Sequence, residues 1–232
     1  MIYRMFRRLM TGVALCAASA ASAAVNIDFG SQPGDLGPTA TYTSAGLTVV
    51  ATGYSDGFNF SAQTDLYGKN AGGDESGLGL VADPSGEDEI YWGNSHLGAF
   101  IELDVSALFG LVTNGQFFMG STTGGLPAGE QWIVYGSNNV GCGWFCSPSG
   151  ASLNGFDEGT HDLFNFGTYK YYDFYSLGTS GNGAPGNVLL GGLVLTPSVP
   201  EPGTWAMMLL GLGAIGAAMR RNRKKLSLIA RT

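Results

Sequence analysis

Positive charge is nearly absent from the body of this chain. Only 11 of its 232 residues are Lys or Arg. Arg4, Arg7 and Arg8 lie at the start, and Arg220, Arg221, Arg223, Lys224, Lys225 and Arg231 at the end. Between residues 25 and 195 only Lys69 and Lys170 remain, against 17 of the 18 acids, a formal charge of 2 − 17 = −15. Proteins hold phosphate backbones with Lys and Arg, so nucleic acid is excluded as a partner. A cation or a matrix of neutral sugar is compatible. Histidine is also scarce, with His96 and His161 alone. Of three cysteines, Cys16 falls in the N-terminal leader, leaving Cys142 and Cys146. A zinc site needs two ligands more than that pair supplies, and neither histidine is near it in sequence. No phosphate loop or dinucleotide fingerprint is present. No amphipathic helix is evident in the body, which removes the crossovers that parallel sheets require.

The ends carry what the middle lacks. Arg4, Arg7 and Arg8, then the apolar run Leu9–Ala18, then Ala21-Ser22-Ala23-Ala24 have the order of a secretory signal peptide, residues 1–24. Residues 25–195 then form one extracytoplasmic domain, of a length usual for a single core. In an oxidising compartment Cys142 and Cys146 read as a disulfide closing one short loop. Its stabilisation should sit near the low end of the roughly 0–5 kcal/mol range. Residues 196–203 read as a proline-rich linker containing Pro200, Glu201 and Pro202. Residues 204–219 come next as a transmembrane helix, since a bilayer needs about 17–25 apolar helical residues. Arg220, Arg221, Arg223, Lys224 and Lys225 open a basic tail over 220–232 that should stay cytoplasmic.

Pro200-Glu201-Pro202, the segment Thr204-Trp205-Ala206-Met207-Met208-Leu209-Leu210-Gly211-Leu212-Gly213 and Arg220-Arg221 together resemble the PEP-CTERM sorting signal. That resemblance implies export by the secretion machinery. It also implies recognition by an exosortase (a membrane-embedded cysteine transpeptidase), which removes the tail and passes the protein to the envelope or outside. The setting it implies is a biofilm or exopolysaccharide matrix.

Within the body, short apolar–polar alternations are punctuated by Gly, Asn, Asp and Pro, the pattern of strands and turns. Ten strands are expected, over 25–29, 40–44, 47–54, 78–82, 89–92, 100–105, 116–120, 131–137, 168–177 and 188–195, with one helical turn at 106–109. The fold class predicted is all-β, an antiparallel two-sheet sandwich of jelly-roll type. The stretches Lys69–Leu80, Trp132–Asn138 and Asn187–Leu190 resemble those of exported PEP-CTERM β-sandwich proteins, a resemblance that brings no catalytic residues.

Three features bear on chemistry. Asp74, Glu75, Asp83, Glu87 and Asp88 lie on Gly-rich loops and offer oxygen ligands for calcium, although their spacing is not that of an EF-hand. The alternative is a solvated acidic loop. Tyr171, on a strand face shared with Tyr169, Asp173 and Tyr175, and Trp144, on the cysteine loop, are candidate glycan contacts. Tyr172 and Phe174 fall on the opposite face. Gly53-Tyr54-Ser55-Asp56-Gly57 matches a hydrolase motif that functions only where a strand turns into a helix. The next residues, Phe58-Asn59-Phe60-Ser61, read as β or loop, so the match is a coincidental turn. The expected function is therefore non-enzymatic, an exported surface or matrix protein. A calcium-dependent carbohydrate-binding module and, third, a matrix-acting hydrolase stay open.

Overall fold

Strand-forming patterns and their turns account for most of the architecture. The computed structural model describes residues 23–55, 62–81, 83, 86–92, 98–122, 130–143, 152–179, 186–198, 206 and 208–217. Among them are fifteen strands: β1 Val25–Asp28, β2 Gly34–Gly37, β3 Thr39–Ser44, β4 Leu47–Tyr54, β5 Gln63–Thr64, β6 Leu66–Asn70, β7 Ser76–Leu80, β8 Ile90–Trp92, β9 Phe100–Asp104, β10 Val112–Gly120, β11 Glu130–Ser137, β12 Ser152–Gly155, β13 Gly159–Asp162, β14 Tyr171–Thr179 and β15 Gly186–Pro197. A single 3-10 turn covers Ser106–Leu108, where one helical turn is expected.

These strands build two antiparallel sheets. One runs β13-β10-β15-β7-β6-β2, with β1 and β8 also paired to β15. The other runs β12-β11-β14-β9-β4-β3, with β5 beside β4. The β3–β4 hairpin turns through Ala45 and Gly46, both with positive φ. Its partner positions Tyr42↔Val49 and Ala40↔Ala51 then face inward together.

Period two decides what is buried. Ile101 and Leu103 of β9, Tyr172 and Phe174 of β14, and Trp132 and Val134 of β11 face the core. They meet Phe117 and Met119 of β10, Leu78 and Leu80 of β7, and Leu190, Leu193 and Leu195 of β15. Each such aliphatic or Phe side chain contributes about 1.5–3 kcal/mol on burial. Rings interlock edge to face, Phe117 with Trp132 at 5.4 Å and with Phe174 at 5.1 Å. The Trp132 indole N–H is satisfied by the Asp157 carbonyl at 3.0 Å.

The differences from the expected strands have local causes. β2, β5, β6, β12 and β13 are short and polar or Gly-rich, so no alternation marks them; pairing to neighbours creates them. β10 starts at Val112 rather than Gln116 because its first residues pair with Thr196 and Pro197. Strand β15 thus takes in the first two residues read as linker. Tyr169 precedes β14 instead of joining its outer face, and packs at 6.2 Å from Tyr172 on the inner core.

Residues 23–198 form one unit, and the terminal segments another. In the latter, residues 206 and 208–217 are helical. No helix among the described residues is long and apolar enough to cross a membrane. The signal segment 1–22 lies outside the described residues.

Gly79 shows how closely the loop before β8 lies on β7, since a Cβ there would overlap the Asp88 carbonyl oxygen. Gly79→Ala is expected to lower stability by about 1–3 kcal/mol or more, read as a reduced urea midpoint. An unchanged midpoint would show that this loop does not rest on the sheet.

Candidate functional site

The outer face of the β9–β14 pair is the most unusual surface of the domain. Glu102 of β9 stands directly opposite Asp173 of β14, so their side chains leave the sheet on the same face. Both are buried, Glu102 to 2% and Asp173 to 0% exposure. Glu102 accepts the Gly141 N–H at 2.5 Å. Apart from the facing Glu102 carboxyl, neither Asp173 oxygen has a hydrogen-bond partner among the described residues. Around them Tyr54 stacks on Phe100 at 4.6 Å and Phe100 on Tyr175 at 4.8 Å, with Ile133 and Tyr135 packed alongside. Residues 138–141, leaving β11, bring Gly141 against the Tyr54 ring.

Electrostatics follow from that burial. Desolvation pushes the Glu102 carboxyl up to about 7, against the pull of the Gly141 N–H. Desolvation, then the charge of Glu102, raise Asp173 well above the usual carboxylate range. Two carboxyls sharing so small a space cannot both ionise cheaply, so the pair retains a proton. Tyr54 is driven to about 12 by burial and by Glu102. Alternation in Phe100–Val105 and Tyr171–Tyr175 marks both acids as lying on the non-core faces. Their adjacency depends on the β9–β14 register, which no local pattern encodes.

The five carboxylates read as calcium ligands are dispersed over several partners. Glu75 accepts Lys69 Nζ at 2.9 Å, and the buried Glu89, at the end of the same acidic run, takes the same ammonium. The Ser121 hydroxyl donates to Glu89 at 3.0 Å from a left-handed backbone, φ +57°. Burial raises Glu89, opposed by Lys69 and Ser121. Asp83 accepts the Glu89 N–H at 3.2 Å, and Glu87 accepts the Asn187 amide at 3.3 Å. Asp74 receives the Ser121 N–H at its carbonyl, and its side chain is exposed. Asp88 is half-buried, its carboxyl raised by burial and by Asp83. Among the described residues no three His, Cys, Asp or Glu are grouped to hold a metal ion. Lys69 is the group that reading by sequence passes over. A lone cation among many acids is the available signal.

Tyr171 lies on the Asp173 face, half-buried, its hydroxyl raised by burial and by Asp104. Trp144 and Cys146 fall outside the described residues. The Ser55 hydroxyl donates to the Ala62 carbonyl at 3.1 Å, and the chain is back in β5 at Gln63, so Ser55 sits at a hairpin arm.

At the domain's C-terminal edge the Ser198 N–H donates to the Leu111 carbonyl at 2.8 Å, and its hydroxyl to the Gly110 carbonyl at 2.9 Å. This ties down the last residue before the tail. Pro200, Glu201 and Pro202, and the cluster from Arg220 to Lys225, lie outside the described residues.

Two outcomes are expected. Lys69→Met leaves Glu89 buried without its cation and should cost about 3–5 kcal/mol, whereas Lys170→Met on the exposed surface should change stability little; equal effects in urea unfolding would contradict this. For the carboxyl pair, folded values lie above the unfolded 4.5, so the folded chain holds protons that the unfolded chain has released. The stability this confers is complete below about 4.5 and is lost as pH rises through about 7. Asp173→Asn should flatten that fall in melting temperature; an unchanged slope would place its origin elsewhere.

Compared with known proteins, residues 198–224 match the family model described as the PEP-CTERM protein-sorting motif. No curated protein and no solved structure matches the chain. The motif implies an exported protein whose membrane-anchored precursor is processed through exosortase. The chain thus carries the PEP-CTERM sorting motif, the signal of exosortase substrates, beginning where the last strand of the sandwich ends.

Proposed function

We propose that this protein is a non-enzymatic component of an exopolysaccharide matrix or cell surface, released there after its tail is removed. The observation that carries this reading is the sorting motif over 198–224. Its placement adds support. Ser198 is bonded into the domain, and Pro200-Glu201-Pro202 begins two residues later in the sequence. The helical residues Met208, Leu209, Leu210, Leu212 and Ile215 expose 52–65% of their surface, as an apolar helix does when its surroundings are lipid. In this reading the helix extends over 204–219 as a membrane span in the precursor, and the N-terminal leader is a helical signal peptide. Cys142 is disulfide-bonded, and its partner in the proposal is Cys146. A jelly-roll winding of the two sheets belongs to the same reading.

The −15 body suits a matrix of neutral sugar, because it repels polyanions and offers no competing cation surface. Its carboxylates keep the released domain soluble. Replacing Pro200-Glu201-Pro202 by alanines, or deleting the host's exosortase, should leave a longer, membrane-retained form. Intact mass and fractionation check this: a secreted product of unchanged mass would refute the assignment.

A further inference from the structure

A strand at the edge of a sheet presents a row of main-chain groups to which another strand can pair. Several edges of this sandwich are blunted. β2 carries Asp35, begins and ends on glycines of positive φ, and has a register shift against β6. β12 and β13 span four residues each, and β5 two. β3 differs from all of these. It ends its sheet, pairs with β4 over six residues without a bulge, and contains no charge, glycine or proline.

The turn after β3 fixes which of its groups face outward. Ala45 and Gly46, with φ of 50° and 80°, make a two-residue hairpin turn, so Ser44 and Leu47 are a hydrogen-bonded pair. Alternation then gives bonded pairs at Tyr42–Val49 and Ala40–Ala51. In the same phase the Gly53 N–H donates to the Pro38 carbonyl at 3.1 Å. Thr43 and Thr48 fall in a non-hydrogen-bonded pair, with their hydroxyls 3.0 Å apart. Thr39, Thr41 and Thr43 therefore aim their N–H and C=O groups away from β4. Among the described residues no third segment bonds to these groups, and all three threonines are exposed.

Such an edge accepts an extended strand, and its sequence selects which one. Thr39-Ala40-Thr41-Tyr42-Thr43 keeps its alternation of threonines when reversed about Thr41. A second copy laid antiparallel on a two-fold axis at Thr41 sets Thr41 against Thr41, and Thr39 against Thr43 on either side. Every one of these pairs is of the bonded kind, giving about six main-chain hydrogen bonds, two at each pair. Threonines directly opposite each other also attract across strands. Charge favours the same junction. Two bodies of formal charge −15 repel, but neither strand of the hairpin Thr39–Tyr54 brings a carboxylate to it.

We propose that β3 is a dimerisation edge, at which two copies of this domain pair β3 with β3 through Thr39, Thr41 and Thr43 and join their sheets into one. A single partner uses up the edge, so assembly stops at two. Three residue pairs cover less than the roughly 1,000 Å² of a stable interface, and the dimer is therefore a concentration-dependent one. This inference goes beyond the surface or matrix role proposed above and does not depend on it.

The test uses the processed protein, isotope-labelled in its host, followed by sedimentation and by amide-exchange NMR from about 10 μM to about 1 mM. The mass should rise toward that of two chains and no further. Over the same range the Thr39, Thr41 and Thr43 amides should come to exchange about tenfold more slowly. Thr41→Glu sets two carboxylates opposite each other at the axis and should keep the protein monomeric. Its melting temperature should not change, since that side chain is exposed. Thr160→Glu adds the same charge on the exposed side of β13, at the edge of the other sheet, and should leave the dimer intact. A monomer throughout overturns the proposal, as does a dimer that persists in Thr41→Glu or leaves the three amides exchanging as fast as in the monomer. Slow exchange of those amides in a protein that stays monomeric would show another part of the chain covering the edge, and counts equally against it. Tail processing is read separately from intact mass, so the sorting assignment and this one fail independently.

Discussion

The rest of the structure depends on the pairing of β15 along both its edges. On one edge it pairs with β10, and on the other with β1 and β7, while its first residues pair with β8. Its inward residues Val188, Leu190, Leu193 and Leu195 are buried as a result. Bulges in the β10 pairing let these residues meet a core whose opposing sheet is built from β14, β9 and β4. The same strand ends at the residue that precedes the sorting signal, so the central strand of the body is also the lead-in to its processing site.

A second constraint is charge. With two lysines for 17 acids between residues 25 and 195, few carboxylates can be neutralised by an ion pair. The domain manages its acids in three ways. Lys69 clamps Glu89 and Glu75, joining β6, the 3-10 turn before β7 and the loop leading to β8. Backbone N–H groups serve Asp28, Asp83 and Asp104. Glu102 and Asp173 remain protonated in part because burial makes a second charge too costly.

Legibility varied with how local the cause was. The β3–β4 hairpin, the alternation of Phe100–Val105 and the inward turn of Tyr172 and Phe174 could all be read from periodicity, since each reflects one strand burying one face. The polar strands β2, β12 and β13 could not, because they exist only as partners of neighbours. The acidic loops were visible as composition, yet composition does not say that Lys69 lies between Glu75 and Glu89. Periodicity puts Tyr171 and Asp173 on the non-core face, but that face is largely covered around Asp173 and Tyr175 rather than open.

The sequence by itself determined the class of fold, the acidic body and the sorting address. These rest on residue type and short-range order, which local patterns carry completely. Tertiary structure alone decided that Glu102 meets Asp173 and that Lys69 bridges two acids. Each of these is a meeting of separate strands or loops, set by sheet register and sheet-on-sheet packing. A period-two pattern specifies which face a residue takes, but not what stands opposite it.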